Sequence, residues 1–282
     1  MANPLSVLDD SLANRAAPPG SMRYFSLLYA PEEKRAGVLA LYIIDAEIRE
    51  TAQSPNHDVA HTRLQWWRAE LDRLVNDVPQ HPATRALREQ AAGLGLAKLH
   101  ELLAAADMDL ARMTYTNVRE LRAYCARSGG AAAELIAAHL YAPETLPEPQ
   151  RAFANRIGIG VRQTEMVRDL RQDAYRGRLY LPLDELDSRG LTDADLRGAQ
   201  LTPKLMDALE QWRERIVEEL DSSAAAAKDS RLRPLHVLAA LHRRLLDRIA
   251  ARNYDIAAER IELGPLEKPW VAWRAARRSV SL

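Results

Sequence analysis

The stretch from Arg162 to Pro182, RQTEMVRDLRQDAYRGRLYLP, concentrates residues able to do chemistry. Glu165, Asp169 and Asp173 recur at four-residue spacing. On an α-helix that spacing stacks them along one face, each about 6 Å from the next. Like charges in a row weaken a helix unless something positive sits among them. Arg168 and Arg171 flank the stripe, and a divalent ion carrying a diphosphate would serve as well. Mg²⁺ takes oxygen ligands and keeps several waters, so a few carboxylates plus substrate phosphates suffice to hold it. Arg176 and Arg178 follow at once, and guanidinium forks grip phosphate oxygens. Tyr180 adds a hydroxyl donor. The stripe reads as a site for a metal-bound polyanion or, on spacing alone, as a solvated helix face with arginine pairs.

The remaining candidates carry less. Asp107 and Asp109 are two residues apart, so only one can face a given helix side, and capping or a surface face is the expectation. Glu134 sits in the apolar run AAAELIAAHL, either buried at a cost or turned outward. His57 and His61 have the i, i+4 spacing of a metal pair but no third ligand, which suits surface histidines. His100-Glu101 opens like a zinc-protease motif, but Ala104 stands where its second histidine belongs. Cys125 is expected to be a packed small residue. Of Trp66 and Trp67, one ring should pack inward and the other lie at a helix edge. There is no G-x-S-x-G elbow, Walker loop or G-x-G-x-x-G fingerprint.

The elements that must position these residues are helical almost throughout. Pro31-Glu32-Glu33 opens a helix expected to reach about Thr51. A second carries Leu64, Trp67, Leu71 and Leu74 on one face. Ala83 to about Ala106 reads as one helix, weakened by Gly93 and Gly95. Thr116 or Asn117 caps the next, and Gly129-Gly130 kinks the chain before Ala131–Tyr141 continues it. A long helix runs from about Gln150 to Asp173 and ends in an extended Arg178–Leu181 segment. Thr202-Pro203 starts a helix expected to reach about Lys228. Further helices are expected from Pro234 to about Asn253 and over Trp270–Arg277. No internal repeat or linker divides the chain. The expectation is a flexible segment over 1–20 followed by one all-α domain of about ten helices over 21–282.

Composition agrees. The 282 residues are 47 % apolar, enough for a sizeable core, with abundant Ala and Leu and two Phe. Lys+Arg and Asp+Glu balance at 39 each, so no global field favours nucleic acid. One cysteine rules out an intramolecular disulfide and fits a reducing compartment. The N-terminus lacks a signal pattern, and no stretch approaches ~18 uncharged apolar residues. A cytoplasmic protein is the expectation, with peripheral membrane contact left open.

The segment IGIGVRQTEMVRDLRQDAYRGRLYLPLDEL resembles the squalene/phytoene synthase family. That family's second aspartate motif has the form Q-x-x-N-x-x-R-D-x-x-x-D, followed by G-R-x-Y-L-P. Arg168, Asp169, Asp173, Gly177, Arg178, Tyr180, Leu181 and Pro182 match it. Weaker echoes lie at Arg35–Tyr42, at Leu64–Leu71 with Trp67, and at Tyr115-Thr116, Leu121 and Tyr124-Cys125. Others are Asn253-Tyr254-Asp255, Arg260 and Lys268. The resemblance implies an all-α isoprenoid-synthase-type bundle around a central cavity, where two aspartate-rich helices bind Mg²⁺-diphosphates. The implied reaction is ionisation of a prenyl diphosphate and condensation with a second. It implies Asp169, Asp173 and Tyr180 as catalytic residues, and Glu165, Asp169 and Asp173 as metal ligands. Arg168 and Arg178 would bind substrate, and Arg49 and Arg162, which depart from the family pattern, are further substrate-binding candidates.

The chain departs from the pattern where the first motif, D-D-x-x-D, belongs. Counting from Leu41-Tyr42, Arg49-Glu50-Thr51-Ala52-Gln53 stands there, while Asp45 and Glu47 lie one turn early. Arg162 and Glu165 replace the second motif's Gln and Asn, and His242 falls where a tyrosine is usual. The segment Ile44-Asp45-Ala46-Glu47-Ile48 also resembles a divergent branch typified by a mitochondrial complex I assembly factor. Two functions are therefore expected. One is a Mg²⁺-dependent prenyltransferase; the alternative is a non-catalytic family member, an isoprenoid-binding or respiratory-complex assembly factor with a protein partner.

Overall fold

A computed structural model of the chain describes residues 10–90, 94–198, 201–221, 229–256 and 260–278, leaving aside the side chain of Gln90. The described residues contain helices and no strand. Asp10–Ala16 (α1) falls in the segment 1–20, whose first nine residues lie outside the described ones. Met22–Leu28 (α2) begins where the Ser21 hydroxyl accepts the Tyr24 N–H. Arg35–Ala52 (α3) carries the run VLALYII and is buried on nearly every side. His57–Val75 (α4) is capped by Asn56 and turns Leu64, Trp67, Leu71 and Leu74 inward. Trp67 is buried and Trp66 exposed, their rings edge to face, as a helix-edge pair should be.

The helix expected over 83–106 is two: Pro82–Gln90 (α5) and Leu99–Leu110 (α6). Gly95 precedes a tight turn over Leu96–Lys98, its carbonyl accepting the Lys98 N–H at 3.1 Å, and the cost of glycine in a helix interior shows as a break. Gly93 lies outside the described residues. Asn117 caps Val118–Cys125 (α7) by accepting the Glu120 N–H. The chain then passes through a π-turn, Ala126–Gly130, into Ala131–Tyr141 (α8). Glu148–Tyr175 (α9) starts after Pro147, two residues before the expected Gln150. Leu183–Arg189 (α10) and Asp193–Arg197 (α11) are short helices in what read as a polar stretch. Pro203–Leu220 (α12) is capped by Thr202; its expected extension to Lys228 lies outside the described residues. Arg233–Ala251 (α13) and Glu267–Arg278 (α14) complete the fold.

Helix α9 is the axis, packed on α8, α12, α13 and the π-turn, while α3 packs on α1, α4, α5, α6 and α8. Gly129 and Gly158 let the π-turn and α9 touch backbone to backbone, since a Cβ on either would overlap the other's carbonyl. The C-terminus of α9 explains the Gly-Arg that follows it. Gly177 adopts φ +72° and its N–H bonds the Ala174 carbonyl at 3.0 Å, while Arg178 N–H bonds Asp173 at 2.8 Å. This double closure needs a left-handed residue after the cap. No helix among the described residues is long and apolar enough to cross a membrane.

Candidate active site

A cavity of about 240 Å³ lies between α2, α3, α8, α9, α13 and the segment leading into α14. Its inner wall is apolar, with Met22, Ala132, Ala133, Ile136, Val161 and Leu238. Its polar side carries Arg23, Arg49, Arg162, Arg168, Arg260 and Lys268 against three carboxylates, Asp45, Glu165 and Glu262.

Glu165 and Asp169 of α9 are paired with arginines. Arg49 Nη2 lies 2.6 Å from Glu165 Oε2, joining α3 to α9. Burial alone would raise the Glu165 carboxyl. Arg49, Arg168, Arg23 and Arg162 outweigh it and hold the group well below the usual carboxylate range. Asp169 is forked twice. Arg168 donates to it at 2.9 and 2.5 Å, and Arg260 at 2.8 and 3.2 Å. Burial opposes those bonds, yet they lower its pKa. Asp173 differs: burial pushes it up to about 6, with Arg162 opposing and Asp169 adding to the rise. On α3, the buried Asp45 binds Arg23 and lies 3.8 Å from Arg49, while Glu47 pairs with Arg15 at 2.7 Å. Glu50 is the most exposed of the three, 3.9 Å from Arg15.

Deeper along α9, Arg162 Nη2 donates to the Tyr124 hydroxyl at 2.8 Å and the Tyr180 hydroxyl at 3.2 Å. Both hydroxyls donate to Asp109, at 2.8 and 2.7 Å. The two rings stack at 5.8 Å and Arg162 lies over both. Asp109, expected at a cap or surface, is thus a buried acceptor; Asp107 takes the outer side and pairs with Arg68. Two residues apart, one of the pair had to point inward, and that spacing was the available signal.

Of the expected substrate and metal residues, the structure brings Arg49, Arg162, Glu165 and Arg168 to the cavity wall. Asp169 reaches it through the two arginines it holds. Asp173, Arg178 and Tyr180 are not on its lining. Arg178 instead donates to the Ala52 carbonyl at 2.7 Å, tying the turn after α9 to the end of α3. Arg23 and Glu262 are charged lining residues with no signal in the sequence pattern, whereas Asp45 is the acid that lies one turn early of the missing motif, and Arg260 and Lys268 are echoes of the family pattern. His242 is buried at the cavity with Nδ1 2.8 Å from the Leu238 carbonyl, and burial lowers its pKa to about 4. Glu134 is buried, held by Asn155 at 2.6 Å and Lys98 at 3.0 Å. Cys125 is buried and inert, its thiol pushed up to about 12.

The expected Mg²⁺ site does not fit this arrangement. Among the described residues, no three His, Cys, Asp or Glu side chains are grouped to hold a metal ion. Of the acids that would serve, Glu165 and Asp169 are committed to guanidinium groups, and Asp173 is not on the cavity lining.

A family model described as squalene/phytoene synthase matches residues 17–267. A phytoene synthase from Mycobacterium tuberculosis is 29 % identical over 276 residues, covering 92 % of this chain and 87 % of that one. Phytoene synthase 1 of Arabidopsis thaliana is 26 % identical over 254 residues, and the match spans 87 % of this chain but only 60 % of that relative's length. Two solved structures share the fold. A dehydrosqualene synthase in complex with ligand superposes with a TM-score of 0.85 at 17 % identity, covering 97 % of this chain and 98 % of that one. The squalene synthase HpnC from Alicyclobacillus acidocaldarius gives 0.76 at 19 %, covering 90 % and 99 %. The architecture is therefore the all-α isoprenoid synthase fold.

Proposed function

Since the chain belongs to the squalene/phytoene synthase family, we propose that it binds a prenyl diphosphate in the cavity between α3 and α9 and acts on it as a prenyltransferase of that type. The observation that carries this reading is one cavity with a guanidinium-rich side and an apolar wall. A departing diphosphate needs fixed positive charge, and the carbocation left behind needs a dry apolar surround. Arg49, Arg168 and Arg260 would take the charge that leaves with the C–O bond's electron pair. Met22, Ile136, Val161 and Leu238 would line the prenyl chain. Asp169 positions two of those arginines, and Asp109 with Tyr180 positions Arg162. At about 240 Å³ the cavity lies below the roughly 300–1,000 Å³ of sites that enclose a drug-sized ligand. That favours chemistry at one diphosphate over condensation of two. Mg²⁺ is not carried into the proposal, because Glu165 and Asp169 are paired with arginines and Asp173 is off the cavity lining.

Cytoplasmic placement with peripheral membrane contact belongs to the same proposal. Trp270 and Trp273 stack exposed on α14 beside Arg274 and Arg277, a face suited to a lipid interface.

The test is incubation with geranyl, farnesyl and geranylgeranyl diphosphate, measuring released diphosphate and lipid product. Release that Asp169→Ala abolishes supports the reading; a folded protein that releases none overturns it. One observation favours a second reading. Arg49 bridges α3 to Glu165, which suits a non-catalytic isoprenoid-binding or respiratory-complex assembly factor that keeps the cavity. Retained binding without turnover is its signature.

A further inference from the structure

Helices α3 and α9 face each other across the cavity, and the charge between them is supplied by arginine. Arg49 is the clearest case. Its Nη2 lies 2.6 Å from Glu165 on α9 and its Nη1 3.8 Å from Asp45 on its own helix. One guanidinium thus touches an acid from each side, where a bridging cation would sit. Arg260 repeats the pattern at the rim, forked onto Asp169 and 3.4 Å from Glu262. A magnesium ion prefers octahedral oxygen ligands and dehydrates reluctantly. To enter here it would have to displace guanidinium groups from carboxylates whose charge is already neutralised.

The same geometry suits an anion. Each guanidinium has five N–H donors in a planar fork, and the pairings above use only part of them. Arg162, on the same wall, has a buried Nε with no acceptor. Six cationic side chains face three carboxylates on the lining and Asp169 behind it, so an excess of positive charge favours a polyanionic head group.

We propose that Arg49 and Arg260 take the place of the metal, so that the chain holds a diphosphate head group by arginine forks and without Mg²⁺. This rests on the prenyl-diphosphate reading above and says how the head group is recognised. Arg49 is the inner cation and sets the span between α3 and α9. Arg260 is the outer one, on the segment that closes the rim.

The full chain is titrated calorimetrically with farnesyl diphosphate in EDTA and again in excess Mg²⁺, and with Mg²⁺ alone. The expected result is binding whose Kd agrees within about threefold in the two buffers, with no heat from the metal alone. Arg260→Ala should weaken binding about tenfold or more in EDTA, the loss of charge-assisted hydrogen bonds. Arg260 is 55 % exposed, so that variant keeps its fold. Arg49→Ala should weaken it further, with folding checked by circular dichroism and Arg49→Lys giving partial rescue. Binding that disappears in EDTA and returns with Mg²⁺ overturns the inference and leaves the prenyl-diphosphate reading standing. No binding in either buffer overturns both. Unchanged affinity in Arg260→Ala and in a folded Arg49→Ala overturns the assignment of these arginines.

Discussion

Two clusters of charge ride on α9, built from the same groups and set in opposite surroundings. At the deep one, Arg162 is 8 % exposed and meets Asp109 through two tyrosines. At the rim, Glu165 and Asp169 are held by Arg49, Arg168 and Arg260, and Arg260 is 55 % exposed. The deep cluster is buried, although Arg162 also reaches the cavity wall and lies 3.8 Å from Glu165, whereas the rim cluster is open to solvent and to the cavity with donors to spare. Arginine–carboxylate pairing therefore does two jobs on one helix. Where it is sealed it specifies packing, and where it meets a cavity it keeps cations in place for a ligand.

Breaking the sealed cluster should have the largest effect on stability. Asp109→Ala leaves the buried Arg162 only Glu165, 3.8 Å away and already held by Arg49, and removes the acceptor of the Tyr124 and Tyr180 hydroxyls. The expected loss is roughly 3–5 kcal/mol, read as a lower urea midpoint at unchanged slope. Asp109→Asn, which keeps an acceptor oxygen, should lose about half as much. An unchanged midpoint in Asp109→Ala would mean that the two clusters do not differ in kind.

On the cavity side the next effect is a titration. His242 has its pKa lowered to about 4 by burial, against an ordinary value near 6.5. The unfolded chain takes up the proton first, so the histidine's contribution to stability is full above about pH 6.5 and is lost as pH falls toward 4. His242→Gln should flatten that slope, by on the order of 2 kcal/mol between pH 7.5 and 4.5. Parallel profiles for the two proteins would place His242 outside the buried cavity wall.

Asp173 should titrate with the opposite sign. Its carboxyl is pushed up to about 6 by burial, so its ionisation opposes folding. That cost is absent below about pH 4, grows as pH rises toward 6 and is constant above. Asp173→Asn should therefore be the more stable protein at pH 7.5, by on the order of 1–2 kcal/mol, with no advantage at pH 3.5. Equal stability at both pH values would show that Asp173 is solvated like an ordinary surface acid.

The helical fold was legible because α3, α4, α9 and α13 each carry apolar residues at helical spacing, with proline or asparagine at the start of α4, α9 and α13 and Pro31 at the turn that leads into α3. The stripe Glu165, Asp169 and Asp173 was legible as local spacing, and so was the alternative that arginines pair it. Which arginines do so was not. Arg49 and Glu165 are 116 residues apart, and Arg260 and Asp169 are 91 apart. Spacing within one helix says nothing about cations delivered by another. Asp109 failed for a related reason: its partners Tyr124, Tyr180 and Arg162 come from three later segments, and only packing decides which of Asp107 and Asp109 turns inward.

The smallest expected effect on stability is the sharpest test of the comparison. Arg260→Ala removes a guanidinium that is mostly solvated, and Asp169 keeps the fork from Arg168. Exposed ion pairs contribute little, because water screens them and ordering long side chains costs entropy. The urea midpoint should therefore move by less than about 1 kcal/mol equivalent. The same substitution removes donors from the cavity rim, where a head group would use them. A variant nearly as stable as the parent but impaired in farnesyl diphosphate binding would separate the rim from the sealed cluster by function. If Arg260→Ala instead cost as much stability as Asp109→Ala, the rim pair would be part of the packing and its exposed guanidinium would have no ligand to serve.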